Sequence, residues 1–222
     1  MNEEINNYLT GILPEQEDWI TRLETEAKAD HVPIMDRAGM NFVVQLVRLT
    51  RPENILEIGT AIGYSALRMQ DASSDSFIVT IEKDEQRYMQ AIKNIEALGK
   101  QQQINVIQGD ALDKLVELAD QGKRFDLIFI DAAKGQYERF FELASPMLNP
   151  NSVIISDNVL FRGYVANPVD VPKRYQKMVE KIRNYNKMLM NHPDFKTSIL
   201  PIGDGVAVSY KMKEEEVLLR EG

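Results

Sequence analysis

Apolar positions along this chain follow two rhythms. Over roughly the first 50 residues they recur at helical spacing. In "DWITRLETEAKADH" and "PIMDRAGMNFVVQLVRLT" the apolar side chains share one face of a predicted helix, and Pro33 stands near the start of the second. From Asn54 onward, short β-rich runs alternate with amphipathic helices. The predicted strands are "NILEIG" (54–59), "FIVTIE" (77–82), "INVIQGD" (104–110), "FDLIFID" (125–131) and "SVIISD" (152–157). Helices such as "DEQRYMQAIKNIEALG" (84–99), with Gly99 as its C-cap, separate them. Strands that are apolar throughout and alternate with helices form a parallel sheet covered on both faces. The last pattern differs: "KTSILPIGDGVAVSYK" (196–211) reads as two strands around a tight turn at Gly203-Asp204-Gly205. The expected architecture is therefore α/β: a Rossmann-like, doubly wound sheet, mostly parallel, closed by a C-terminal antiparallel hairpin. One domain spans 1–222, with N-terminal helices over 1–50, an α/β core over 51–222 and an insertion over about 161–190.

Composition narrows the picture. At 222 residues, 44% hydrophobic and 27% charged, the chain has apolar material for a full core. The absence of cysteine excludes disulfides, thiolate zinc sites and a cysteine nucleophile, and it suits a reducing, cytoplasmic setting. "MNEEINNYL" is unlike a signal peptide, and the apolar runs are strand-sized, so no membrane association is expected. A net charge of -8 weighs against polyanionic partners, except where basic residues cluster locally.

In doubly wound sheets ligands bind beyond the carboxyl ends of the strands. Here those ends carry acids: Glu82 on the second strand, Asp110 after the third, Asp131 on the fourth, Asp157-Asn158 on the fifth. "LEIGTAIGYSA" (56–66) is a strand-to-helix turn in which Gly59 and Gly63 let the backbone turn sharply. Alone, such glycines do no more than tighten a turn. With Glu82 placed to take ribose hydroxyls, they point to an adenosine-type cofactor. The spacing Gly59-x-x-x-Gly63, beside Glu57, disfavours a pyrophosphate and suits a cationic ligand. Asp131, Asp157 and Asn158 are oxygen donors of the kind that hold Mg²⁺ or a similar divalent ion. Taken singly, each reads as a helix cap or an Asx-turn.

"IDAAKGQY" and "SDNVLFRG" resemble the D-A-x-K-x-x-Y and D-N-x-L-x-x-G signatures of the cation-dependent O-methyltransferases of the caffeoyl-CoA and catechol type. The likeness runs from "HVPIM" to the final hairpin. "EIGTAIGYSA", "FIDAAKGQY", "DNVLF" and "LMNHPD" are most similar to the bacterial branch that methylates 5-hydroxyuridine in tRNA. The resemblance implies a class I methyltransferase fold, S-adenosyl-L-methionine as cofactor and a homodimer. It implies a cofactor pocket of Met35, Glu57, Gly59, Gly63, Ser65, Glu82, Asp110, Ala111 and Asp131. It also implies Mg²⁺ or another divalent cation on Asp131, Asp157 and Asn158. Lys134 matches the catalytic lysine, acting as base or stabilising the oxyanion, with Asp131 beside it.

The acceptor is less constrained. Catechols and 5-hydroxyuridine both present two adjacent oxygens to a metal. The catechol enzymes place an acid in the final hairpin, and the alignment of "DGVAVSY" puts Ala207 there. From Arg162 to Lys187, seven basic residues stand against Asp170 and Glu180, a net of +5. Arg162, Lys173, Arg174 and Lys177 are the expected RNA contacts, with Lys181 on the same helix face as Lys173 and Lys177. Phe161, Tyr164, Tyr175 and Tyr185 would be available to stack on bases. The expected substrate is the wobble nucleotide of a tRNA anticodon loop, converted to 5-methoxyuridine. The alternatives are a catechol or hydroxycinnamoyl acceptor, or a cofactor-binding module without catalysis. His31 and His192 belong to no triad, the Trp19 helix reads as a packing or dimer surface, and the tail "KMKEEEVLLREG" reads as solvated.

Overall fold

The computed structural model describes residues 3–167, 169 and 171–213; most of the charged tail, from 214 on, lies outside them. Three helices precede the sheet: α1 (Glu3–Gly11), α2 (Asp18–Ala29) and α3 (Arg37–Thr50). Helix α3 begins at Arg37, later than Pro33 suggests. The Asp36 carboxylate accepts the N–H groups of Ala38 (3.0 Å) and Gly39 (3.1 Å), so the cap sets the boundary.

The sheet comprises β1 (Asn54–Ile58), β2 (Phe77–Glu82), β3 (Ile104–Gln108), β4 (Phe125–Ile130), β5 (Leu148–Ser156), β6 (Phe195–Leu200) and β7 (Val206–Lys211). Their order is β3-β2-β1-β4-β5-β7-β6; β1 to β5 pair in parallel, and β7 is antiparallel to both β5 and β6. The helices between strands are α4 (Tyr64–Ala72), α5 (Glu85–Ala97), α6 (Ala111–Asp120), α7 (Tyr137–Ala144) and α8 (Lys173–Met190). This is the class I methyltransferase architecture expected from the sequence. Strand β5 differs from expectation by starting at Leu148. Asn149-Pro150-Asn151 reads as a turn, yet Leu148 pairs with Phe125 across a register shift and carries the strand through.

Two apolar clusters sandwich the sheet. Ile55, Leu127, Phe129 and Ile155 pack with α3 and α4 on one side; Leu56, Ile58, Ile128 and Ile154 pack with α7 and α8 on the other. A smaller cluster of Phe161, Val165, Val171, Val179 and Ile182 fastens the segment after β5 to α8. At about 1.5–3 kcal/mol per fully buried large apolar side chain, these layers hold the sheet's carboxyl edge rigid.

Candidate active site

Strand register builds the site. Ile58 pairs with Ile81 of β2 and Ile130 of β4, and Ile130 pairs with Ser156 of β5. The next residues on these strands, Glu82, Gly59, Asp131 and Asp157, therefore stand in one row along the carboxyl edge. The ladder continues into that row: Asp131 N–H donates to Ile58 O and Asp157 N–H to Ile130 O, each at 3.0 Å. Gly59 adopts φ 104°, and a Cβ there would collide with the Asp131 carbonyl, so glycine lets two strand ends close up. A cavity of about 610 Å³ opens over the row.

At one end of the cavity every acid is already hydrogen-bonded. Glu82 accepts from Ala61 N–H and from Asp84 N–H, both at 2.8 Å. It thus clamps the turn in which Ala61 sits at φ 46°. Asp110 caps α6 through Leu112 N–H (3.0 Å) and pairs with Lys83 Nζ at 2.8 Å. The Lys83 hydrogen bond, then the Leu112 N–H, holds its carboxyl below the usual range. Met35, Gly59, Ser65, Glu82, Asp110 and Ala111, expected to hold the cofactor, all line this cavity.

Glu57 and Gly63 do not. Glu57 is fully buried behind the wall. Its carboxyl accepts from the Ser65 hydroxyl and from Thr80 Oγ1 (2.5 Å), and Thr80 in turn meets Thr60 Oγ1 at 2.6 Å. Burial pushes Glu57 up to about 8, against the pull of those two hydroxyls. Gly63 starts α4 and packs on Ala91. Both residues shape the turn from behind. Sequence spacing could not separate these two roles, because strand alternation and a tight turn decide which side faces a ligand.

At the other end the acids are crowded. Burial raises the carboxyls of Asp131 and Asp157, and for Asp157 the Asp131 charge adds to it. Asp157 accepts Asn158 N–H at 2.6 Å, and Asn158 follows at φ 56°. The Lys134 ammonium opposes the charge of both aspartates. Lys134 lies on a short 3₁₀ turn, Lys134–Gln136, directly after Asp131-Ala132-Ala133. Lys181 Nζ of α8 donates to Gly135 O at 3.0 Å and holds that turn from behind. The Tyr137 ring is buried edge-on against Tyr185 (5.5 Å), whose hydroxyl meets Ser156 Oγ at 2.7 Å. Among the described residues no cluster of three His, Cys, Asp or Glu side chains could hold a metal. The donor set here is two carboxylates and an amide. It fits a hard divalent cation, because all donors are oxygens and two buried like charges lack full compensation.

The final hairpin corrects a second expectation. Ala207 is fully buried and pairs with Ser156, inside the sheet. The hairpin's acid in the cavity is Asp204, on the turn itself. Because β7 runs antiparallel to β5, the turn before β7 arrives at the edge where β5 ends; that inference was open to sequence reasoning. Asp204 O accepts from Leu160 N–H (3.0 Å) and Phe161 N–H (3.1 Å), and its side chain accepts from Arg162 N–H. Burial raises its carboxyl.

Of the predicted RNA residues, Arg162 lines the cavity, its guanidinium 5.9 Å from the rings of both Phe161 and Tyr175. Arg174 stacks over Tyr175 at 4.5 Å. Lys173 and Lys177 are exposed on the first turns of α8. None of these four makes an ion pair among the described residues. Lys181, expected to act with them, bonds to the Gly135 carbonyl instead. Of the four aromatics, Tyr185 (1% exposed) and Phe161 (8% exposed) are used in packing, whereas Tyr164 and Tyr175 are half-buried with their rings stacked at 6.4 Å.

One cavity that joins hydrogen-bonded acids to paired carboxylates lies along the carboxyl edge of a class I methyltransferase fold. The family model for O-methyltransferases matches residues 14–212. A catechol O-methyltransferase of Niastella koreensis is 31% identical over 192 residues, covering 84% of this chain and 85% of that protein. A caffeoyl-CoA O-methyltransferase of Petroselinum crispum is 32% identical, over 75% of this chain and 72% of its own length. Among solved structures, a Staphylococcus aureus protein provisionally named a caffeoyl-CoA O-methyltransferase superposes with a TM-score of 0.87 at 37% identity, covering 94% and 100% of the two chains. An O-methyltransferase from Bacillus cereus, in complex with SAH, gives 0.81 at 28% identity, covering 94% and 97%. The chain belongs to the O-methyltransferase family. No helix among the described residues is long and apolar enough to cross a membrane.

Proposed function

We propose that this O-methyltransferase uses S-adenosyl-L-methionine and a divalent cation such as Mg²⁺ to methylate a hydroxyl that has a second oxygen beside it. The observation that carries the reading is the row Glu82, Gly59, Asp131, Asp157. It puts an acceptor for ribose hydroxyls and a pair of uncompensated carboxylates over one cavity. The SAH-bound Bacillus cereus relative supports the cofactor. Asp131, Asp157 and Asn158 would hold the cation, and Glu82, Asp110, Ser65 and Met35 would hold the cofactor. Bound together, the cation would make a substrate hydroxyl more acidic and the cofactor would supply an electrophilic methyl group.

The chain's own part is positioning. Asp131, in the middle of the row, would contact both the cation and the cofactor. Ala132 and Ala133 keep the wall small beside it. Lys134 reaches the same space, where its amine takes the hydroxyl proton or holds the negative oxygen that forms. Lys181 braces the Lys134 turn through its hydrogen bond to the Gly135 carbonyl.

The acceptor we infer is 5-hydroxyuridine at the wobble position of tRNA, which would become 5-methoxyuridine. Its support is the likeness to the bacterial tRNA branch, Arg162 at the cavity wall, and Lys173, Arg174 and Lys177 at the start of α8, which make no ion pair among the described residues. A catechol acceptor is the second reading. Asp204 in the cavity favours it, as does the Niastella koreensis catechol enzyme. The test is methyl transfer from labelled S-adenosylmethionine, with Mg²⁺ or a chelator, to tRNA bearing 5-hydroxyuridine or to catechols. Mg²⁺-dependent label in tRNA is the expected result. Label in catechols alone would overturn the tRNA reading, and transfer indifferent to chelator would overturn the metal.

A further inference from the structure

Asp204 does more in the cavity than its place in the hairpin requires. Its Oδ1 accepts the Arg162 N–H, while its Oδ2 has no hydrogen-bond partner among the described residues. It faces the same cavity as Asp131, Lys134, Asp157 and Asn158, and the Lys134 charge acts on Asp131, Asp157 and Asp204 alike.

The residue is also fixed. Its carbonyl takes two N–H groups, from Leu160 and Phe161, and Gly205 O accepts Val159 N–H at 3.0 Å. On either side, Gly203 and Gly205 sit so tightly that a Cβ would collide with Asp36 or Leu160. These bonds hold a segment in which Asn158, Phe161 and Arg162 all have positive φ. A fixed, half-buried acceptor with one open oxygen selects for a donor on its ligand, because a ligand lacking the donor leaves it unsatisfied.

On the nucleobase reading, the 4-carbonyl and 5-hydroxyl of the uracil ring face the metal. The ring's next group is N3–H, a donor. We propose that Asp204 is a specificity-determining residue whose free oxygen accepts N3–H of 5-hydroxyuracil. It thereby rejects a 5-hydroxyuracil methylated at N3, which keeps both adjacent oxygens and lacks the donor; 5-hydroxycytosine, with an amino group in place of the 4-carbonyl, is already disfavoured at the metal. This inference rests on the nucleobase reading above and adds a residue to it.

The test compares kcat/KM on anticodon stem-loop RNAs carrying 5-hydroxyuridine, 5-hydroxycytidine or N3-methyl-5-hydroxyuridine, with catechol as a fourth acceptor. The parent protein is expected to prefer 5-hydroxyuridine over both other RNAs by roughly 10- to 100-fold. Asp204→Asn keeps the oxygen that takes the Arg162 N–H and places an amide NH₂ at the open position. It is expected to lose the preference for 5-hydroxyuridine over its N3-methyl counterpart, while the 5-hydroxycytidine RNA stays poor for want of the 4-carbonyl. If the parent turns over the N3-methyl RNA as fast as its unmethylated counterpart, Asp204 does not read N3–H, whatever the variant does. If Asp204→Asn folds and keeps the parent's preference, the proposal also falls while the tRNA reading stands. Turnover of catechol with none of the RNAs removes the tRNA reading and this inference together, which is a different outcome from either of those.

Discussion

The two ends of the cavity are made from the same row of strand ends, yet they treat charge in opposite ways. On the β1–β3 side each acid facing the cavity has its donors: Glu82 two backbone N–H groups, Asp110 a helix N–H and a lysine. On the β4–β5 side Asp131, Asp157 and Asp204 gather around one lysine, and burial raises all three carboxyls. The first end is finished before a ligand arrives. The second is held in a costly arrangement that a dication and a donor-bearing substrate would relieve. The contrast teaches where selectivity lies: the first end offers acceptors already fixed in place by backbone N–H groups, and the second demands particular charges and donors.

Three substitutions would sharpen or break this contrast. The largest effect is expected from Asp157→Ala, which should lower methyl transfer roughly 1,000-fold, a loss of about 4 kcal/mol of transition-state stabilisation. In metal-free buffer the same variant should unfold at a temperature no lower than the parent, because a buried like charge is gone. Added Mg²⁺ should raise the melting temperature of the parent and not of the variant. A variant stabilised by Mg²⁺ as strongly as the parent would show that the crowded end is not a metal site. Next is Lys134→Met, expected to reduce kcat by about 100-fold with cofactor affinity unchanged, measured by steady-state kinetics and calorimetry. Equal loss of cofactor binding would mean that the lysine serves the fold of the pocket and not the transfer.

The smallest effect concerns the finished end and should spare kcat. Burial raises the Glu57 carboxyl from 4.5 to about 8 in the folded chain. The stability this group contributes is full below pH 4.5 and is lost as pH rises through about 8. Glu57→Gln removes that loss. Relative to the parent, the variant should gain on the order of 2–4 kcal/mol between pH 5 and pH 9, read from urea unfolding at each pH. A difference that stays constant with pH would place the proton elsewhere.

Much of this molecule was readable from its residues. The change from helical to strand periodicity at Asn54, the acids at strand ends and the Gly203–Gly205 turn gave the sheet and its functional edge. Asp131, Asp157, Asn158 and Lys134 were found because two motifs at the ends of adjacent strands carry them. The misreadings share a cause. Glu57 and Gly63 were assigned to the pocket, Phe161 and Tyr185 to a stacking surface, and Lys181 to RNA. For the buried residues the type suits the task, and only packing in three dimensions shows which way the side chain faces; Lys181, placed by spacing on the face of Lys173 and Lys177, bonds to the Gly135 carbonyl. Asp204 was passed over because an acid between two glycines looks like any turn; its role comes from the antiparallel direction of β7.

The direction of β7 also bears on how the protein is made. Met35 comes from the segment before α3, while Asp204 comes from the last hairpin. During synthesis the adenosine end of the cavity is encoded by residues up to Ala111, long before its opposite wall exists. The acceptor wall closes only when the turn at Gly203–Gly205 has emerged and β7 has slotted between β5 and β6. A chain that has not yet delivered this turn would therefore lack the wall that Asp204 supplies to the cavity.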